Sequence, residues 1–270
     1  MIHRRYKDFL GHGNRPADRR GRGIVLEAAA DPEGAPQGEG STSKSVDAQA
    51  VEEDRKPFVF DSKIQLGDKL SRYPVEVLKN EPMFFNCTWT YAYENGGEPT
   101  REFLMALPEE LHNDRTIVDS RCHMLMPGWY PCIPGFHHDD VSRDTRSGQP
   151  NYFTPSYRSK HALVLFNGDV CPTEFAIGTA EFPRVAEGEV YYKVWHPIVE
   201  EKIKAGELER VKAPSDQVVF FDDRSWHQGT KAVKNGWRLF IRASWDTGRK
   251  PTNEIRQQVQ VYMDNPMEGW

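Results

Sequence analysis

What this sequence has little of narrows its range. Its 270 residues hold four cysteines, Cys87, Cys122, Cys132 and Cys171, with no C-x-x-C pair. That scarcity argues against a zinc knuckle and a dense disulfide framework, and it favours a reducing, cytoplasmic setting. No apolar run nears the roughly 20 residues of a membrane helix, and mean hydropathy is −0.70, so no membrane association is expected. Positive charge is not in excess either. The net charge is −5 and the pI is near 6.0, whereas a protein gripping a nucleic-acid backbone usually carries a basic face. No internal repeat is present. The opening MIHRRYKDFL lacks the layout of a secretory signal, and Asp8 and Asp18 in the Arg-rich start count against an organelle transit peptide.

What is present divides the chain in two. Residues 1–56 begin with a basic stretch (Arg4, Arg5, Lys7, Arg15, Arg19, Arg20, Arg22) and continue in Gly, Pro, Ser and acidic residues with almost nothing to bury. Such a composition does not offset the entropy of ordering, so a disordered or loosely attached extension is expected. Its basic head could contact an acidic partner, although a solvated tail is the plainer reading. Residues 57–270 are expected to form a single domain. Here FVFDSKIQL, PVEVLKN, MFFNCTWTYAY, RCHMLMP, HALVLFNG, TEFAIGTAEF, EVYYKVW, DQVVFFD and WRLFIRASW read as short strands between Gly, Pro, Asn and Asp clusters. TREFLMALPEEL reads as a helix capped by Thr100, with Phe103, Leu104, Leu107 and Leu111 at helical spacing. Many short strands imply a β-sandwich or barrel with flanking helices.

PGFHHDDV, residues 134–141, concentrates metal-ligand side chains. Alternate side chains of an extended segment share a face, so His137 and Asp139 point one way and His138 and Asp140 the other. A third ligand, His227, follows the apolar strand DQVVFFD. Two histidines and one carboxylate leave positions open on an ion, the pattern of non-haem Fe(II) oxygenases. Arg238 lies eleven positions after His227, where a guanidinium can clamp a carboxylate with two parallel hydrogen bonds. Arg242, four residues further on, falls on the same strand face, and its burial calls for an anionic partner.

H-x-D, a distal His and an Arg about ten residues later resemble the Fe(II)/2-oxoglutarate-dependent dioxygenase superfamily, phytanoyl-CoA- or prolyl-hydroxylase-like, with no subfamily assigned. The resemblance covers about Arg121 to Trp245 and is densest in WHQGTKAVKNGWRLFIRAS. It implies a mainly β fold with flanking helices and a double-stranded β-helix (jelly-roll, cupin-like) core over about 119–247. It further implies iron on His137, Asp139 and His227, 2-oxoglutarate on Arg238, and consumption of O2 with release of succinate and CO2. Pro-Gly-aromatic-His-x-Asp in family members favours His137 and Asp139, while the bare spacing fits His138 and Asp140 equally. Arg242-Ala-Ser244 mimics the R-x-S signature of plant-type members, but its Arg lies fifteen residues after His227, which leaves Arg242 for substrate or a second carboxylate.

The expected activity is an oxidoreductase: hydroxylation or oxidative demethylation of a small anionic molecule met by Arg242 and Arg143, with a protein side chain or nucleobase as other substrate classes. Three rivals remain at this level. His138-Asp139 is a literal His-Asp dyad of metal phosphohydrolases, although its flanks read as strands rather than helices. A cupin-type dioxygenase or isomerase would use the same barrel without 2-oxoglutarate. A non-catalytic ligand-binding barrel would keep the fold alone. Plainer roles fit the other candidates: His123 and His161 as hydrogen-bonded strand residues, His196 at a helix start or loop, Arg143 and Arg146 in a solvated loop, Asp222 and Asp223 in a turn, Trp129 and Tyr130 as packing. Thr173 and Asn151 are possible contacts of 2-oxoglutarate or substrate.

Overall fold

In the computed structural model, which describes residues 57–186 and 188–263, the alternating segments become strands that pair antiparallel throughout. The extension over 1–56 lies outside the described residues. Six strands form one sheet in the order β2 (Gln65–Lys69), β9 (Gln217–Asp222), β6 (Lys160–Phe166), β11 (Gly236–Trp245), β5 (Ile117–Leu125) and β4 (Cys87–Thr88). A second sheet is built on β7 (Thr173–Phe182). Its C-terminal half pairs with β1 (Phe58–Ser62), and its N-terminal half is flanked by β8 (Glu209–Lys212) and β10 (Trp226–Gly229). A two-stranded ribbon joins β3 (Phe84–Phe85) to β12 (Glu254–Ile255).

Strand alternation gives the six-stranded sheet two different faces. Cys122, Val164, Leu239, Ile241 and Ala243 point outward into an apolar cluster that also holds Leu78, Phe103 and Leu104. These last come from helices α1 (Val75–Leu78) and α3 (Glu98–Met105), and α2 (Trp89–Asn95) packs beside them through Ala92. The inner face meets the second sheet through Leu163, Leu165, Val219, Phe221 and Phe175. An aromatic cluster of Phe58, Phe60, Phe182, Trp195 and Trp226 ties the second sheet to α4 (Tyr191–Lys204).

Three segments read as strands are helical. PVEVLKN forms the single turn α1, begun where the Pro74 carbonyl accepts from Val77 N at 2.9 Å. MFFNCTWTYAY divides into β3, β4 and then α2. The Thr88 hydroxyl caps α2 by accepting from Tyr91 N at 3.1 Å, and Trp89 stacks on Tyr93 one turn later at 4.9 Å. EVYYKVW opens α4, because Tyr191, Trp195 and Val199 at i, i+4 and i+8 make a helical stripe on the aromatic cluster. The expected helix at TREFLMAL begins earlier, at Glu98, with Gly97 at its N-cap and Pro99 in its first turn. Thr100 is not the cap; its buried hydroxyl donates to Glu81 instead. Aromatic and β-branched content is shared by strands and buried helices, so such short runs are decided by which core they meet. None of the described helices is long and apolar enough to cross a membrane.

Candidate metal centre

His137 and His227 are set opposite each other by an isolated antiparallel bridge. His137 N donates to His227 O at 3.0 Å, and His227 N donates to His137 O at 3.2 Å. Opposed residues of such a bridge share a face, and the two imidazole centroids lie 4.6 Å apart. Asp139, two residues along, joins them: its Oδ1 is 3.6 Å from His137 Nε2 and its Oδ2 is 3.3 Å from His227 Nε2. One ligand atom from each of the three lies within 4.8 Å of the others.

The ring tautomers follow from the backbone. His137 Nδ1 sits 2.8 Å from Gly135 O, and His227 Nδ1 sits 2.9 Å from Ser225 O. A carbonyl only accepts, so both Nδ1 atoms carry a proton, and both Nε2 atoms face Asp139. Burial and the neighbouring His227 ring hold His137 below the ordinary imidazole value, in its neutral ligating form. Burial pushes the Asp139 carboxyl up, but the Arg242 guanidinium and the two imidazoles hold it well below the usual carboxylate range. Two imidazoles and an ionised carboxylate on one side of a common centre would suit a divalent first-row metal.

Glycine is required just before the ligands. Gly135 has φ +99°, and a Cβ there would come within 3.2 Å of the His196 ring. His196 accepts from Phe136 N at 3.0 Å. It lies inside α4, directly before Pro197, and braces the segment that carries the ligands.

The competing register points elsewhere. His138 stacks on Trp226 at 3.7 Å and shares a 3.0 Å hydrogen bond with the Tyr152 hydroxyl. Asp140 has φ +48° and turns to Arg242 at 3.5 Å and Arg249 at 3.4 Å. Neither approaches a third ligand among the described residues.

Comparison with known proteins adds little to this geometry. No family model matches the chain, and neither does any curated protein. Among solved structures, iron-bound HygX from Streptomyces hygroscopicus is 10% identical over 76% of this chain and 86% of that one, with a TM-score of 0.32. Apo HygX from the same organism is 10% identical over 80% of this chain and 98% of that one, with a TM-score of 0.29. Likeness this slight assigns neither fold nor activity.

The arginines divide sharply. Arg238 is 3% exposed, and among the described residues its guanidinium has one hydrogen bond, Nη2 to Thr173 Oγ1 at 3.2 Å, and no carboxylate partner. Among the same residues its Nε has no hydrogen-bond partner. Thr173 pairs with Gly229 and Phe175 with His227, so this guanidinium lies one same-face step along β7 and β10 from the histidine. Arg242 is instead engaged by carboxylates: Asp139 Oδ2, Asp140 at 3.5 Å and Asp119 at 3.8 Å. It braces a ligand rather than facing open space. Arg143 is exposed and donates to Gly148 O at 2.8 Å within its own loop.

The remaining candidates have structural partners. His123 donates from Nε2 to Gln260 O at 3.1 Å, and His161 is hydrogen-bonded to the Ser244 hydroxyl at 2.8 Å. Asp222 and Asp223 pair with Arg158 at 3.8 and 2.8 Å. Asn151 Oδ1 accepts from Phe153 N and Thr154 N in its own turn. Trp129 packs beside Leu125 and Cys171, and Tyr130 bridges to Tyr262.

Sequence reasoning missed Asp119, Arg121, Arg249 and Arg256. A signal for the first two was available: Asp119, Arg121 and His123 place an ionisable group at every second position of the strand. Arg249 and Arg256 come from the segment after the last core strand, and only the folded chain returns it to Asp119, at 3.0 and 3.7 Å.

Proposed function

We propose that this protein is a non-haem Fe(II)- and 2-oxoglutarate-dependent dioxygenase whose two main sheets form a double-stranded β-helix. The observation that carries the reading is the convergence of one ligand atom each from His137, Asp139 and His227 within 4.8 Å, with both Nε2 atoms facing Asp139 and both Nδ1 atoms held by backbone carbonyls. In this reading those three residues hold the iron, and Arg238, helped by the Thr173 hydroxyl, clamps the far carboxylate of 2-oxoglutarate. A buried guanidinium without a carboxylate partner is unfavourable unless an anion arrives, and a bidentate carboxylate answers that need. Iron with 2-oxoglutarate and O2 supplies the oxidising power for hydroxylation or oxidative demethylation, with succinate and CO2 released.

The chain's own residues do the rest. Gly135 O and Ser225 O keep the imidazoles oriented, with their Nε2 atoms turned to Asp139. Arg242 holds Asp139 ionised and in place, and the carboxylate's remaining lone pairs would serve the metal. Phe175 and Phe221 pack on the His227 ring, with centroids at 5.9 and 5.1 Å, and shield this side of the centre from water. The reading places the protein in the cytoplasm, in keeping with four free thiols.

The test is an anaerobic visible spectrum after Fe(II) and 2-oxoglutarate are added. A metal-to-ligand charge-transfer band is expected, absent in His137→Ala and weakened in Arg238→Ala. Tight iron binding without the band would hand the site to a cupin-type enzyme that uses no 2-oxoglutarate.

A further inference from the structure

The inner face of the six-stranded sheet carries more cationic than anionic groups, and the surplus is localised. Asp119, Asp139 and Asp140 are matched by Arg242, Arg249 and Arg256, through contacts from 3.0 to 3.8 Å and the close Arg242–Asp139 pair. Arg121 and Arg238 are left over. In the β5–β11 register Arg121 faces Phe240 and Arg238 faces His123, so the two guanidiniums are diagonal neighbours on one sheet face. Arg121 has no ion pair among the described residues, and it is only partly buried, so solvent reaches it.

Its surroundings repel rather than compensate. Burial and then Arg121 lower Arg256 to about 10. Burial, Arg238 and Arg121 bring His123 down to about 3, which keeps that ring neutral. Two like charges one diagonal apart on a partly desolvated face repel each other unless an anion lies between or beside them. Two residues beyond β12 lie on this side: Gln260 O accepts from His123, and Tyr262 bridges to Tyr130.

We propose that Arg121 binds an oxyanion on the substrate, a carboxylate or a phosphate-like group, beside the cosubstrate held by Arg238. The proposal rests on the dioxygenase reading for the word substrate, while the anion site itself rests on Arg121 and its neighbours. One 2-oxoglutarate carboxylate satisfies Arg238 and the other belongs at the metal, so the cosubstrate leaves Arg121 unmatched. The substrate class is therefore a small anion, recognised by Arg121 rather than by Arg242 or Arg143.

The experiment titrates sulfate and, separately, acetate into the full chain held anaerobically with Fe(II) and 2-oxoglutarate, following heat of binding and the charge-transfer band. Wild type is expected to bind at least one probe, sulfate if the group is phosphate-like and acetate if it is a carboxylate. Arg121→Gln weakens that binding by about tenfold or more, the loss of a charge-assisted contact, and Arg121→Lys weakens it less. The affinity for 2-oxoglutarate changes little in Arg121→Gln and collapses in Arg238→Met. Absence of probe binding to wild type, or equal binding in wild type and Arg121→Gln, overturns the proposal. So does a loss of 2-oxoglutarate in Arg121→Gln as large as in Arg238→Met, which would make Arg121 part of the cosubstrate clamp. If no band forms but an Arg121-dependent probe site persists, the anion site stands and the dioxygenase reading falls.

Discussion

The two faces of the six-stranded sheet share one backbone and divide the labour of the protein. Outward, Cys122, Leu239, Ile241 and Ala243 lie under helices and are nearly all without solvent exposure. Inward, the same strands present Asp119, Arg121, His123, Arg238 and Arg242, a row of ionisable groups in a position where burial of charge is unfavourable. A period of two lets one strand serve both ends: every second residue contributes packing and every other one contributes chemistry. Stability should therefore be written on the outer face and ligand response on the inner one.

The largest expected effect probes the outer face. Ile241→Ala opens a cavity in a fully buried site and should destabilise by about 2–5 kcal/mol, read by urea denaturation. Iron affinity of the folded fraction should not change; a fall in affinity at unchanged stability would break the division.

Acid should act through the inner face. His123 is lowered to about 3 by burial and neighbouring guanidiniums, and burial holds His161 well below 6.5. A depressed histidine contributes stability that is complete above the unfolded value and is lost as pH falls through the window from 6.5 towards about 3. Denaturation measured at a series of pH values should show stability declining across that window. Each group adds at most about 1.4 kcal/mol per pH unit, and His161→Phe should flatten the slope. An unchanged slope would mean that the ring is protonated in the fold.

Smaller and of opposite sign is Arg238→Met. Replacing an unmatched buried guanidinium by an apolar chain of similar length should stabilise the ligand-free protein by about 1 kcal/mol or leave it unchanged, while 2-oxoglutarate binding disappears. Destabilisation would show that Arg238 already has structural value without a ligand. Smallest is Arg143→Ala, whose exposed side chain serves its own loop. It should shift stability by less than about 0.5 kcal/mol and leave both iron and 2-oxoglutarate affinity intact; a loss of either would return Arg143 to the site.

Legibility followed the same division. β6, β7, β9 and β11 were readable as apolar runs between turn residues, a signature strongest in β6, which is buried on both faces beyond its first residue. EVYYKVW was not, since its aromatics suit a strand until Tyr191, Trp195 and Val199 are seen to share one helical side. His137, Asp139 and His227 were legible as residue types at a spacing, whereas Arg121 was hidden in a strand read for its hydrophobicity. Arg242 was found as a residue that calls for an anionic partner, but Asp139 was not named as that partner, because the bond joins residues 103 positions apart.

The sequence by itself determined the alternation of the core strands, the left-handed glycine before the ligands, and the chemical inventory of imidazoles, carboxylates and guanidiniums. Those are local properties, set by side-chain type and by a period of two. The choice between His137 and His138 was tertiary. Spacing treats the two alike, and what separates them is that one meets His227 across a bridge while the other stacks on Trp226. The pairing of three aspartates with three arginines, and the two guanidiniums it leaves over, was tertiary as well, because charge balance in a buried site depends on distances that only the folded chain defines.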